Sequence, residues 1–406
     1  MSVYHCPLCP LIFQYRTEVE WHLREEHRSR ADEAAELRAE LAAANRPLDA
    51  DRLTHLRSSK SSPSVTLLLS TTPAATMTVL DIARLRQLAE RARRRLLGEP
   101  HLNTPVTVVE ERLARTVSAA ESRPTDRGVA VLVNKDDLAI IALPFAPRDR
   151  HVVDSGFATR DLDYALRRHP RYRVLVLGHH ARILEGHARQ LSEPAPVSTS
   201  ASPHSVPPLN ATVGPDPDPD KLLSERIDTA GNLPLVVVGE HRDLARFHNR
   251  SGYAHEVVAE IRRSRFHRGN VADLVADEID RIHHDQQSRA VAELLHADMQ
   301  SQVAWGIHAA WNAVHNRAAD RLWVEHDHTV PGRAAPGVYG IETISDPAQP
   351  GAIDDLVDAL LTKAAQHGID THLLDSHTSG TVEPVAVTIP VPAPTHIPAP
   401  QSLATK

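Results

Sequence analysis

Two cysteines and two histidines near the start of the sequence have the types and the spacing to hold a metal ion. They read Cys6-x2-Cys9-x12-His22-x4-His27, the ligand spacing of a Cys2His2 site for zinc. Zinc takes four borderline donors in a tetrahedron. A two-residue gap turns both thiolates of a hairpin knuckle towards one ion, and a four-residue gap keeps both imidazoles on one helical face. Phe13 and Val19 fall where a ββα finger places its apolar core residues. So short a segment buries too little apolar surface to fold unaided, so bound metal would supply most of its folding energy. One structural Zn2+ on Cys6, Cys9, His22 and His27 is therefore expected.

The finger is a poor reader of bases. With His22 at helix position 7, the base-reading positions are Tyr15, Glu18 and Trp21, none of them the Arg or Asn of strong base contacts. The finger is also single and acidic, which disfavours sequence-specific DNA and suits a protein or ribosomal partner. A second candidate surface is a helix over residues 78–97. Thr78 and Asp81 make a capping-box pattern, Ile82, Leu85, Ala89, Ala92 and Leu96 supply an apolar stripe, and Gly98 stops it. Its other faces carry six arginines, of which Arg84, Arg91, Arg94 and Arg95 are the expected phosphate contacts to RNA.

Other groups read as structural. His283-His284-Asp285 and His179-His180 arise readily among 26 histidines, and Asp354, Asp355 and Asp358 suit the positive start of a helix. The sequence has no Gly-rich phosphate loop, no Gly-x-Ser-x-Gly elbow and no cysteine beyond Cys6 and Cys9. Enzymatic activity is not expected.

The elements around these residues are those of an α/β (α+β) chain of 406 residues, long enough for two or three domains. A ββα finger occupies residues 1–28, and a helical spacer and linker residues 29–62. An α/β domain over residues 63–190 opens with a buried strand at 65–69 and holds a hairpin turning at Asn134-Lys135-Asp136-Asp137. A Pro/Ser-rich linker, expected to be disordered, spans residues 191–222. A second α/β domain follows over residues 223–385, with strands at 233–240 and 321–327 and an amphipathic helix at 352–366. A Pro-rich tail, also expected to be disordered, covers residues 386–406. The net charge of −7 excludes a chain-wide basic coat for nucleic acid. With no apolar run of spanning length, no leader at the start and thiols only in the finger, no membrane contact and a cytoplasmic setting are expected. Arginine outnumbers lysine 40 to 5, as the codon bias of a GC-rich, actinobacterial genome would give.

Three stretches, SVTLLLSTTPAATMTVLDIARLRQLAERA, RGVAVLVN and VVDSGFATRDLDYALRRHPRYRVLVLGHHARILEG, resemble the bacterial relatives of archaeal and eukaryotic peptide-chain release factors, in particular the third of their described families. PLVVVGEHRDLARF, WNAVHNRAADRLWVEHD and AIDDLVDALLTKAAQHG resemble the last domain of release factors and of the ribosome-rescue protein pelota. The resemblance implies work at the ribosome, on rRNA or tRNA, in termination, rescue or hibernation. The family's hydrolytic Gly-Gly-Gln and codon-reading Asn-Ile-Lys-Ser occur nowhere in the chain. The expectation is therefore a non-catalytic, zinc-binding, ribosome-associated factor. The alternatives are a zinc-finger DNA regulator and a divergent peptidyl-tRNA hydrolase.

Overall fold

The computed structural model describes residues 3–6, 11–26, 44–59, 61–98, 106–178, 181–187, 190–193, 218–230, 233–262, 271–337, 339–345, 349, 351–376 and 383–389. They form a mixed α/β chain that divides into two compact units. One unit is residues 1–163 with 302–406, and the other is residues 164–301.

The first unit begins with strands β1 (Tyr4–His5) and β2 (Ile12–Phe13), then helices α1 (Arg16–Glu26) and α2 (Ala50–Ser58). Its first four-stranded sheet runs β5-β4-β3-β6 from β3 (Ser64–Ser70), β4 (Gly128–Val133), β5 (Leu138–Leu143) and β6 (Arg150–Asp154). Every pairing in it is antiparallel. Val65, Leu67 and Leu69 alternate onto one face and pack on α3 (Val79–Gly98) and α4 (Val106–Glu121) through Leu85, Ala92, Val109, Leu113 and Val117. Thr78 Oγ1 accepts the Asp81 amide at 3.2 Å, which closes the capping pattern read from sequence. Helix α5 (Arg160–Arg168) follows, and the division between the units falls inside it.

The closing part of the first unit is a sheet in the order β12-β18-β13-β17. Its strands are β12 (Val303–Trp305), β13 (Arg321–Glu325), β17 (Asp370–Leu374) and β18 (Val385–Thr388), packed with α9 (Ile307–His315) and α10 (Leu356–Gln366). A small sheet of β14 (Gly332–Ala334), β15 (Ile341–Thr343) and β16 (Ala352–Ile353) lies in the loop before α10.

Charges bind this closing part to the first sheet. Arg160 and Asp355, each 1% exposed in the side chain, pair at 3.0 Å. Arg150 reaches Asp355 and Asp161 at 2.7 Å each. Asp355 also caps α10 by accepting the Val357 amide at 3.1 Å. Asp358 accepts the amides of Thr159 and Arg160 at 3.0 and 2.9 Å, so a residue of α10 caps the start of α5.

The second unit is a five-stranded sheet in the order β11-β10-β7-β8-β9. Its strands are β7 (Arg171–Val176), β8 (Arg182–His187), β9 (Gln190–Ser192), β10 (Leu235–Gly239) and β11 (Val257–Arg262). β10 is parallel to both β7 and β11, whereas β7 and β8 are antiparallel. Alternation again sorts the faces. Leu175 and Val237 pack with α6 (Pro219–Ala230) and α7 (His241–Arg250), and Val174, Val236 and Val238 pack with α8 (Val271–Met299).

Several sequence expectations change. The strands expected to close the first α/β domain before residue 190 belong instead to the second sheet, where β7 pairs in parallel with β10, about 60 residues further on, and β8 pairs with β7. The domain boundary therefore falls near residue 163, and the segment expected as an inter-domain linker over 191–222 lies within the second unit. Residues 194–217 lie outside the described residues, and α6 begins just after them, at Pro219, within the expected linker. The expected domain 223–385 is divided between the units. The tail expected from residue 386 begins with β18, which pairs on both sides. The spacer helix read over 29–45 falls almost wholly outside the described residues. The supposed linker after it holds α2, capped by Asp49 and buried through Leu53 and Leu56. Helix α4 is not among the elements expected from the sequence, and β11 is a strand in a stretch, 254–298, whose pattern reads as largely helical.

Two outcomes follow. Asp355→Asn leaves two buried guanidiniums short of a charge, so it should destabilise the first unit by about 3–5 kcal/mol in urea unfolding. In the second unit, burial and then the Arg168 charge push the His169 imidazole from 6.5 down to about 4. A depressed folded value gives stability that is present above pH 6.5 and lost as pH falls towards 4. His169→Gln should flatten that slope by one proton.

Candidate functional site: the finger and the basic helix

The hairpin β1–β2 pairs Tyr4 with Phe13 and His5 with Ile12, and the Cys6 amide donates to Leu11 O at 3.0 Å. This closes the knuckle in which Cys6 sits. Glu18, the third residue of α1, reaches back to accept the Gln14 and Tyr15 amides at 3.2 Å, the return half of a capping box. Glu18 is thus occupied at the helix start.

Cys6 and His22 are 7% and 6% exposed, beside Val19 at 5%. The His22 ring packs on Phe13 with centroids 5.0 Å apart. A thiol and an imidazole, both buried in the ββα unit, are donor types that zinc takes, and they are two of the four expected ligands. Cys9 and His27 lie outside the described residues. Among the described residues, no cluster of three or more His, Cys, Asp or Glu is placed to hold a metal. Three large apolar side chains of the finger are exposed: Ile12, Tyr15 and Trp21 at 57%, 63% and 65%.

The basic helix α3 forms as expected, but its arginines divide. Arg95 is 10% exposed in the side chain, pairing with Asp354 at 3.0 Å and donating to Ala352 O at 3.3 Å. It holds the first sheet to the loop before α10, which removes it from the phosphate-contacting set. Arg84 is held by Asp81 and Ser70 at 3.1 and 2.7 Å, and by Asp149. Burial alone would raise the Asp149 carboxyl, but the Ser70 amide and Arg84 outweigh it and hold it below the usual carboxylate range. Arg86 and Arg93 are paired with Glu121, Glu90 and Glu110. Arg91 is exposed, and Arg94 is 67% exposed, its Nε donating to Glu90 O at 3.4 Å and lying 3.8 Å from the Glu90 carboxylate. Of the four expected contacts, Arg91 and Arg94 therefore keep accessible charge.

In α8, Asp285 pairs with Arg281 at 2.7 Å and His283 is buried, and His179 and His180 lie outside the described residues. Asp354, Asp355 and Asp358 serve the ion-pair cluster as well as the start of α10, a role that their helix position alone did not reveal.

No protein-family model matches the chain, and no curated protein matches it. Solved structures do align with it. The archaeal translation termination factor aRF1 aligns at 12% identity over 86% of this chain and 99% of its own, with a TM-score of 0.24. Pelota of Archaeoglobus fulgidus aligns at 13% identity over 85% and 93%, with a TM-score of 0.27. Dom34 of S. cerevisiae, a translation termination-like factor, aligns at 9% identity over 68% and 78%, with a TM-score of 0.33. At TM-scores this low the alignments carry no functional argument. The class that the fold itself defines is a multi-sheet α/β protein with an N-terminal ββα unit. Among the described residues no helix is long and apolar enough to cross a membrane.

Proposed function

We propose that the chain is a zinc-binding factor that associates with the ribosome in termination, rescue or hibernation, in the cytoplasm and without hydrolytic chemistry of its own. One observation carries this reading: the release-factor-like segments occupy three successive sheets in the order in which they occur along the chain. SVTLLLS and RGVAVLVN are neighbouring strands of the first sheet, RYRVLVLG and PLVVVGE are neighbouring parallel strands of the second, and RLWVEHD is central in the third.

Zinc on Cys6, Cys9, His22 and His27 would fold the finger and supply no reaction. The finger's exposed Ile12, Tyr15 and Trp21 offer apolar contact rather than base-edge hydrogen bonds, which supports a protein surface over DNA. Arg91 and Arg94 are the charges available to RNA phosphates. The absence of adjacent glycines anywhere in the sequence supports a role that does not hydrolyse peptidyl-tRNA by the Gly-Gly-Gln route.

Two measurements test this. The tagged protein should co-sediment with ribosomes in at least one growth phase, and absence in all of them defeats the reading. Reversal of both Arg91 and Arg94 to Glu should weaken that association most at low salt and lower its salt slope by roughly two. Separately, metal analysis should find one zinc per chain, lost in Cys6→Ser. A purified protein without zinc would remove the finger's metal and leave the ribosome reading standing.

A further inference from the structure

Three rings pack in succession in the closing part of the first unit. Trp311 and His315, one turn apart on α9, stack with centroids 4.4 Å apart and planes at 29°. Tyr339, from the loop between β14 and β15, packs on His315 in turn, with centroids 5.0 Å apart. The row runs outwards: Trp311 is 9% exposed, His315 is half-buried and Tyr339 is 43% exposed. The inner ring is core, and the outer one presents aromatic surface to solvent. Tyr339 holds φ at +59°, a left-handed value that a bulky side chain seldom takes.

The charges beside this row are cationic. Helix α9 ends in a Schellman turn, with the Ala318 amide donating to Ala313 O at 2.8 Å and the Arg317 amide to Val314 O at 3.1 Å. Arg317 takes the left-handed position, φ +56°, where glycine is usual, and its side chain is exposed. The same Val314 carbonyl accepts His367 Nδ1 at 2.9 Å, which brings the end of α10 alongside. Burial lowers the His315 imidazole, the Trp311 carbonyl opposes this, and the neighbouring Lys363 and His367 charges lower it further. His315 therefore stacks as a neutral ring. Among the described residues neither Arg317 nor Lys363 forms an ion pair. Carboxylates three residues on from Arg317, Tyr339 and His367 have cations of their own. Asp320 lies 3.9 Å from Arg321, Glu342 2.8 Å from Arg333 and Asp370 3.3 Å from His372.

We propose that this surface binds single-stranded RNA, with an unpaired base stacked on Tyr339 and the adjoining phosphates on Arg317 and Lys363. An exposed ring beside unpaired cations is how proteins take single strands, since every base has a face to stack and the backbone follows the charge. His315 and Trp311 hold the tyrosine from behind, so little side-chain freedom is lost when a base arrives. A duplex keeps its base faces against one another and offers none to the ring. A protein partner could also cover an aromatic side chain, but two cations without a carboxylate suit a polyanion better. This surface rests on the reading of the chain as an RNA-associated factor, and it is separate from Arg91 and Arg94 of α3.

The test is the fluorescence anisotropy of a short, fluorescein-labelled oligoadenylate titrated with the full chain in the absence of ribosomes. The strand should bind, and the same strand annealed to oligouridylate should compete poorly. Tyr339→Phe keeps the ring and should bind as the unaltered protein does. Tyr339→Asn removes the ring while suiting the left-handed backbone, which spares the fold, and should weaken binding about tenfold. Lys363→Gln should lower the slope of log affinity against log salt by about 0.7. No binding, equal competition by the duplex, undiminished binding in Tyr339→Asn, or Tyr339→Phe as weak as Tyr339→Asn overturns the proposal. Co-sedimentation with ribosomes is a separate readout. Its failure beside strand binding that depends on Tyr339 removes the ribosome and leaves this surface, and its success without strand binding does the reverse.

Discussion

Arg160 and Asp355 are both almost wholly buried, and burying two full charges is tolerable only if every partner is in place. That condition organises the first unit. Arg150 comes from β6, Arg160 and Asp161 from the start of α5, and Asp355 and Asp358 from the start of α10, some 205 positions away from Arg150. Burial, with Asp355 and Asp161 close by, raises the Asp358 carboxyl against the pull of Arg160 and Arg150. Burial alone would lower the Arg150 guanidinium, but Asp161, Asp355 and Asp358 outweigh it and hold it raised. The site is an acid–base balance that no single element could satisfy. It accounts for an α/β unit assembled from two distant stretches of chain with another unit inserted between them. Closing so long an insertion adds little entropy beyond closing a short one, since the cost grows only with the logarithm of length.

The two kinds of contact in this unit differ in locality. The apolar core under α3 and α4 draws only on residues 65–153, so it can form from one continuous stretch. The charge cluster needs residues 150–161 and 354–358 together. Hydrophobic burial tolerates a late partner, and a half-made ion-pair network does not. The geometry therefore separates a core that can form early from a lock that closes when the last sheet arrives.

What the sequence revealed follows the same line. Local signals read correctly: the capping box at Thr78, the stripe of Leu85, Ala92 and Leu96, and the hairpin turn, where Asn134 Oδ1 accepts the amides of Asp136 and Asp137 at 2.9 and 2.6 Å. Non-local pairings did not. Nothing in RYRVLVLG says that its partner is PLVVVGE across a polar insert, because an apolar run buried on both faces looks the same in any sheet. Helix α4 carried a legible stripe in Val109, Leu113, Val117 and Ala120, and α2 carried Leu53 and Leu56 behind an Asp cap. Both were passed over, one lying between stronger signals and the other too short for periodicity to declare it. For the site, ligand spacing made the finger legible, whereas the pairing of each arginine in α3 depended on carboxylates up to 259 positions away, at Asp354.

That dependence sharpens the meaning of the basic helix. Arg84, Arg91 and Arg95 are seven and four residues apart and so share one side of α3. Arg84 is drawn to Asp81 and Asp149 beside the first sheet, and Arg95 to Asp354 beside the last. The helix is fastened towards both ends by its own cations, which fixes its rotation about the axis. Arg91 lies between the two fastenings, close enough with Arg95 to help lower the half-buried His151 imidazole, an effect led by burial itself. Arg94 projects one residue earlier than the Arg95 anchor and is mostly solvated. A run of arginines that composition alone would treat as one interchangeable patch thus separates into residues that hold the scaffold and two that the scaffold presents.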